Sequence, residues 1–183
     1  MNSRITTVAV IAAALQLAAC DSADSGPKTM EEAKEEAGKL ERPRPGQYKQ
    51  TMTVTEFELP GAPPEMAAQL KSALGQSNDQ EFCLTEEMSK KGFQDMFQKI
   101  GDDGECSYER FNVSGGDLDA LLQCQSEAEG KAQFSLAGKV TTEGSDIKVR
   151  IDSDNPNSPM GKAKIGMHMV TERIGDCAQP SSE

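Results

Sequence analysis

The chain has 183 residues, 36% of them hydrophobic and only 4% aromatic, and its 19 Lys and Arg face 30 Asp and Glu for a net charge of −11. That length suits one domain with extensions rather than two full domains. An isoelectric point near 4.6 argues against nucleic acid as a partner, because a phosphate backbone needs a positive surface. A single imidazole, His168, removes most histidine-dependent active sites from consideration.

The first elements are an address. Arg4 is followed by apolar or small residues from Ile5 to Ala19, a run too short for a mature membrane span. Its boundary, Leu17-Ala18-Ala19-Cys20, resembles the lipobox of bacterial lipoproteins. The resemblance implies a signal peptide over 1–19 and acyl chains on Cys20, which would hold the chain on the periplasmic side of a membrane. The competing reading is a secreted protein with a stray thiol at that position. Asp21 resembles the signal that keeps enteric lipoproteins in the inner membrane, but the rule differs between bacterial groups and leaves inner and outer membrane both open. Removing residues 1–19 takes away one charged group, Arg4, so the mature chain is more acidic still and is repelled by anionic lipid. Residues 20–45 read as the lipidated Cys and a tether: the acidic stretch Glu31–Ala37 favours helix by propensity, but without an apolar stripe it is expected to be a solvated spacer outside the core.

A single disulfide-bonded domain is expected over 46–179, with a tail at 180–183. Tyr48, Met52 and Val54 alternate with polar residues as in a strand. Pro63-Pro64-Glu65 opens a helix that carries Met66, Leu70, Ala73 and Leu74 on one stripe and stops at Gly75. Thr85 caps a second helix, with Met88, Phe93, Met96, Phe97 and Ile100 on one side and Gly101 as its stop. Two strand-like runs then flank Ser114-Gly115-Gly116-Asp117. A hairpin folded about Gly115 sets Cys106 opposite Cys124, Tyr108 opposite Leu122 and Arg110 opposite Ala120. Four cysteines behind an export signal read as two disulfides, so Cys106–Cys124 leaves Cys83–Cys177 by elimination. A four-cysteine zinc site would want a Cys-x-x-Cys pair, which the sequence lacks. Period-two patterns continue over Ala132–Val140, Ile147–Ile151 and Ile165–Met169. The expected fold is α+β: a mainly antiparallel, one-sided curved sheet in meander order, with the two helices packed on its dry face.

With these elements placed, the chain resembles a proteobacterial family of envelope proteins, the domain of unknown function numbered thirty-six seventeen. The resemblance rests on Pro45-Gly46-Gln47-Tyr48, on Glu81-Phe82-Cys83-Leu84-Thr85, on Cys106 and Cys124 around a glycine turn, and on Arg173-Ile174-Gly175-Asp176-Cys177. It implies an exported domain with two disulfides and brings no activity. Many members have Trp where Tyr48 stands.

No reaction is legible in the residues. A serine or cysteine hydrolase needs a base beside its nucleophile, and neither Gly-x-Ser-x-Gly nor a second histidine is present. Asp152–Asn157 lacks the glycine and the terminal glutamate of an EF-hand loop. Met160, Met167, His168 and Met169 offer soft ligands suited to Cu(I). Alternation, however, puts His168 on the face opposite Met167 and Met169, and thioethers in line with Ile165 are expected to pack in the core. The expectation is therefore a non-enzymatic envelope lipoprotein without cofactor, which binds an apolar ligand or another envelope protein. The alternatives are a periplasmic Cu(I)-type protein using those Met and His residues, and an uncharacterised enzyme.

Overall fold

The computed structural model describes residues 26–75, 78–93, 105–126, 130–157 and 161–178. The elements run α1 (Met30–Ala37), β1 (Gly46–Glu58), α2 (Pro64–Leu74), β2 (Asn78–Leu84), α3 (Glu86–Lys91), β3 (Glu105–Ser114), β4 (Asp117–Ser126), β5 (Gly130–Thr141), β6 (Gly144–Asp154) and β7 (Lys162–Gly175). The seven strands form one open sheet in the order β2-β1-β7-β6-β5-β4-β3, with every pairing antiparallel. The α+β architecture is the one the period-two runs predict, and the sheet is a meander from β3 to β7. β1 then closes on β7 from the other end of the chain, and β2, which the sequence reading did not identify as a strand, lies outside it as an edge.

The β3–β4 hairpin turns on two residues, Gly115 at φ +58° and Gly116 at φ +85°, the left-handed pair that suits a tight hairpin. A two-residue turn pairs Phe111 with Ala120 and Arg110 with Leu121, so Arg110 does not face Ala120 as expected. A bulge between Tyr108 and Arg110 then absorbs one residue and restores Tyr108 opposite Leu122 and Cys106 opposite Cys124. The bulge brings Phe111 inward, while Arg110 bonds Asp119 at 2.7 Å on the outer face. The two disulfides are Cys106–Cys124 and Cys83–Cys177.

The principal correction concerns α1. The segment expected to be a solvated spacer is a helix of the core: Ala33, Ala37 and Leu40 are buried against Tyr108, Phe111, Leu118, Ala120, Leu122 and Val140. Its start is fixed by a capping box, in which the Glu32 N–H donates to Thr29 Oγ1 at 3.2 Å and the Thr29 N–H donates to Glu32 Oε2 at 2.7 Å. Small alanines let the helix approach the sheet closely, and a long apolar stripe is unnecessary. Just upstream, Lys28 makes an isolated antiparallel bridge to Tyr108, so the chain is anchored to the β3 edge before the helix begins.

The two predicted helices play smaller parts. α2 joins β1 to β2 and leaves Met66 46% exposed. α3 ends at Gly92 rather than Gly101, with Met88 half exposed instead of packed inward. Met96, Phe97 and Ile100 lie outside the described residues. Ser89, the small residue on the inner side of α3, donates to the Pro43 carbonyl at 2.6 Å and ties the helix to the strand-entry segment.

Tyr108 is 1% exposed, packs edge-on to Phe111 at 5.1 Å between ring centres, and has no hydrogen-bond partner for its hydroxyl among the described residues. Burial pushes its phenol up to about 12. An unpaired buried hydroxyl opposes folding, so Tyr108→Phe is expected to be neutral or to stabilise by about 1 kcal/mol in urea titrations near neutral pH. The raised folded-state value also fixes the sign at high pH. The unfolded phenol loses its proton near its ordinary value of 10, the folded one only near 12, so stability declines as pH climbs through that window. The Phe variant should lack that part of the alkaline decline.

Candidate functional site

Three of the four motifs that carry the family resemblance meet at one corner of the sheet, where their roles are structural, and the fourth, Cys106 and Cys124 around the glycine turn, lies at the other end. Gly46 takes φ +152°, and a side chain on it would collide with the Arg173 guanidinium and the Gly175 carbonyl. Arg173 donates through Nε to the Pro45 carbonyl at 3.0 Å and through Nη2 to Asp176. Tyr48, 2% exposed, donates its hydroxyl to the Arg44 carbonyl at 2.7 Å, with the Thr142 carbonyl 3.2 Å away. Burial, then the nearby Glu143 carboxylate, raises its phenol above the ordinary value. Gln47 pairs with Cys83 on one side and Gly175 on the other, so the Cys83–Cys177 bridge straddles the start of β1 and staples three chain segments.

This corner borders an apolar cavity of about 340 Å³. Its floor is the sheet: Leu136 and Val140 of β5, Ile147 and Val149 of β6, Met169 of β7 and Tyr48 of β1. Leu40 and Pro43, which follow α1, and Phe93, which follows α3, form the opposing wall. Phe82 of β2 stacks on Tyr48 at 5.7 Å and is 36% exposed, which places it where the cavity meets solvent. The polar lining consists of Gln50, Thr141, Ser145 and Thr171, with Gln50 Nε2 3.5 Å from Thr171 Oγ1. No Asp, Glu, Lys, Arg or His lines it among the described residues. The cavity exists because α1 covers the β3–β4–β5 half of the inner face, while Met52, Val54, Val149, Ile165, Met167 and Met169 on the other half stay only partly buried.

Two other concavities are polar. One of about 610 Å³ lies at the far end of the sheet beside Cys106 and Cys124, but it is an open trough whose lysines and acids include the Lys162–Asp154 ion pair at 3.1 Å. Size alone therefore does not mark the better site. The other, about 310 Å³ on the outer face, is bordered by Lys148, Arg150 and His168. His168 Nε2 lies 2.7 Å from Asp146 Oδ1 there.

The structure separates the methionine–histidine set. Met169 lines the apolar cavity, Met167 lies two residues before it on the same face, and His168 points to the opposite face toward Asp146. Both methionines are half-buried rather than fully enclosed, a departure from the core packing expected of them, because no helix covers that half of the sheet among the described residues. Met160 lies outside the described residues, as does Cys20. No cluster of three or more His, Cys, Asp or Glu with metal-binding geometry occurs among the described residues. The cavity itself escaped the sequence reading in its particulars. Leu40 and Pro43 sit in the segment expected to be a tether, and Phe93 falls where the sequence predicts a helix.

No curated protein and no solved structure matches the chain. Residues 43–177 match the family described as "Protein of unknown function (DUF3617)", a span that runs from the cavity wall at Pro43 through the whole sheet to the second half of the corner disulfide. The chain belongs to the DUF3617 family.

Proposed function

We propose that this protein is an exported lipoprotein, held on the periplasmic side of a bacterial membrane through Cys20, whose domain is a non-enzymatic module that binds an apolar ligand. The observation that carries the binding half is the cavity: about 340 Å³ of space between the sheet and the Leu40–Pro43–Phe93 wall, lined by aliphatic and aromatic side chains. Such a volume lies at the small end of ligand sites, and a few hydroxyls and one amide are enough polar groups to orient a guest. Among the described residues of that lining, no imidazole or carboxylate stands beside the hydroxyls of Thr141, Ser145 and Thr171 to activate one as a nucleophile, which supports a binding role. The anchoring half rests on the h-region and on Leu17-Ala18-Ala19-Cys20.

Native mass spectrometry of the protein extracted from membranes in mild detergent tests both halves. The expected spectrum shows acyl mass on Cys20 and a one-to-one apolar adduct, the adduct disappearing in Ser145→Trp, which fills the cavity. A chain without acyl mass that remains soluble on fractionation rejects the anchor. A bare protein mass in every preparation rejects the ligand.

A further inference from the structure

The polar groups of the cavity are gathered at one end of it. Gln50 of β1, Thr171 of β7 and Ser145 of β6 stand opposite one another on a single register row of the inner face. Two residues further along the strands the row is Met52, Met169 and Ile147, and the next is Val54, Met167 and Val149. Side chains return to the same face every second residue, so the floor turns from hydrogen-bonding to aliphatic in one step. From Ser145 to Val149 it runs for about 13 Å. Two other polar groups in the lining are already committed: the Thr141 hydroxyl donates to the Gly144 carbonyl at 3.1 Å, and the Tyr48 hydroxyl to the Arg44 carbonyl. Gln50 Nε2, by contrast, reaches Thr171 Oγ1 only at 3.5 Å, long for such a bond, so amide and hydroxyl can each take a closer partner. The charges around this row cancel. Arg44 pairs with Glu143 at 2.6 Å and Arg173 with Asp176. Behind Leu40 and Phe93, Arg42, Lys90 and Lys91 are balanced by Glu86, Glu87 and the carbonyl ends of α1 and α3. An ionised guest would leave water for a lining without a counter-charge, a cost that an uncharged one does not meet.

We propose, resting on the apolar-ligand reading above, that the guest is an uncharged single-chain amphiphile, one alkyl chain that ends in a hydroxyl or an amide. Its head exchanges hydrogen bonds with Gln50, Ser145 and Thr171, whose amide and hydroxyls both donate and accept. Its tail runs from that row over Ile147 and Met169 toward Val149, between the sheet and the Leu40–Phe93 wall. A space of about 340 Å³ suits one chain rather than two. Carboxylates, phosphates and quaternary amines with the same tail meet the same aliphatic floor, and the head end rejects them. Charge, and not hydrophobicity, therefore selects among guests of one length.

The test displaces a neutral naphthylamine dye from the purified full chain, near neutral pH, with decanol, decanamide, decanoate and decyltrimethylammonium, which share one tail length. Decanol and decanamide should displace it at concentrations about tenfold or more below those that the two ions need. In the double variant Gln50→Leu, Thr171→Val, whose new side chains have nearly the old shapes, both neutral compounds should weaken about fivefold or more. The dye, which needs no hydrogen-bonding head, should bind the variant as before and so reports that the cavity is intact. Decanoate or decyltrimethylammonium as effective as decanol in the unmodified chain overturns the uncharged head. Full affinity for decanol in the double variant, or equal losses for decanol and dye, overturns the Gln50–Thr171–Ser145 row as its place. A dye that does not bind, or that none of the four compounds displaces, instead rejects the apolar-ligand reading on which the proposal rests.

Discussion

Replacing Phe111 by Ala is expected to lower the unfolding free energy by about 3–5 kcal/mol, the range for emptying a buried aromatic site. Phe111 is fully buried, meets Tyr108 edge-on, and belongs to the same cluster as Ala33, Ala37 and Leu40. The void would open directly beneath α1, and an eight-residue helix has little stability apart from its packing. Hydrogen exchange at residues 30–37 should therefore accelerate by more than the global loss of stability accounts for. Urea titration of the oxidised protein measures the first effect and amide exchange the second. A loss below about 1 kcal/mol, with α1 protection intact, would place Phe111 and α1 outside a common core.

The second large effect comes from the disulfides, and its order is the informative part. Cys83 and Cys177 are 94 residues apart, whereas Cys106 and Cys124 are 18 apart. In the chain-entropy account a bridge restricts the unfolded state more as its loop lengthens, by about 4–5 kcal/mol for the longer loop and about 3 for the shorter. Paired Cys83→Ser, Cys177→Ser substitution should thus destabilise more than paired Cys106→Ser, Cys124→Ser. Sheet position points the same way. Cys106 and Cys124 sit on strands already joined by a tight turn, while the other bridge holds the chain end across β1 to the edge strand β2. Denaturant midpoints of the two double variants settle the order. A larger loss from the hairpin pair would mean that the corner around Gly46, Arg173 and Asp176 holds without its bridge.

The strands were legible because their inner faces alternate cleanly: Leu136 with Ser135, Ile147 with Lys148, Ile165 with Lys164. The hairpin cysteines were legible for a reason only partly right. Folding about Gly115 gives the right partner for Cys106 because the bulge after Tyr108 shifts the register by the one residue that a Gly115-Gly116 turn would otherwise displace. A bulge leaves no composition signature, so Arg110 and Phe111 exchanged faces without warning. α1 does not show as a core helix in the sequence because its buried side chains are alanines, which form no strong apolar stripe. The signal present was the Thr29-Met30-Glu31-Glu32 capping box, followed by Ala33, Ala37 and Leu40 at helical spacing. The cavity wall went unread with it, since Leu40 and Pro43 acquire meaning only once α1 docks. β2 is nearly all exposed, and an edge strand of Asn, Asp, Gln and Glu shows no alternation to find. Cys83 marked it only as a bridge partner.

The space between Leu40, Phe93 and the β5–β6–β7 floor is the place proposed above for an apolar guest. Titration of the purified protein with a neutral naphthylamine dye whose emission rises in apolar surroundings tests this most directly. The expected result is a saturable, one-to-one rise in emission that falls at least tenfold in affinity in Ser145→Trp and Thr171→Phe, two substitutions that fill the cavity from different strands. Lys162→Ala, in the polar trough at the far end of the sheet, should leave the titration unchanged. Saturable binding that persists at full affinity in both filled variants would contradict the cavity as the place of binding.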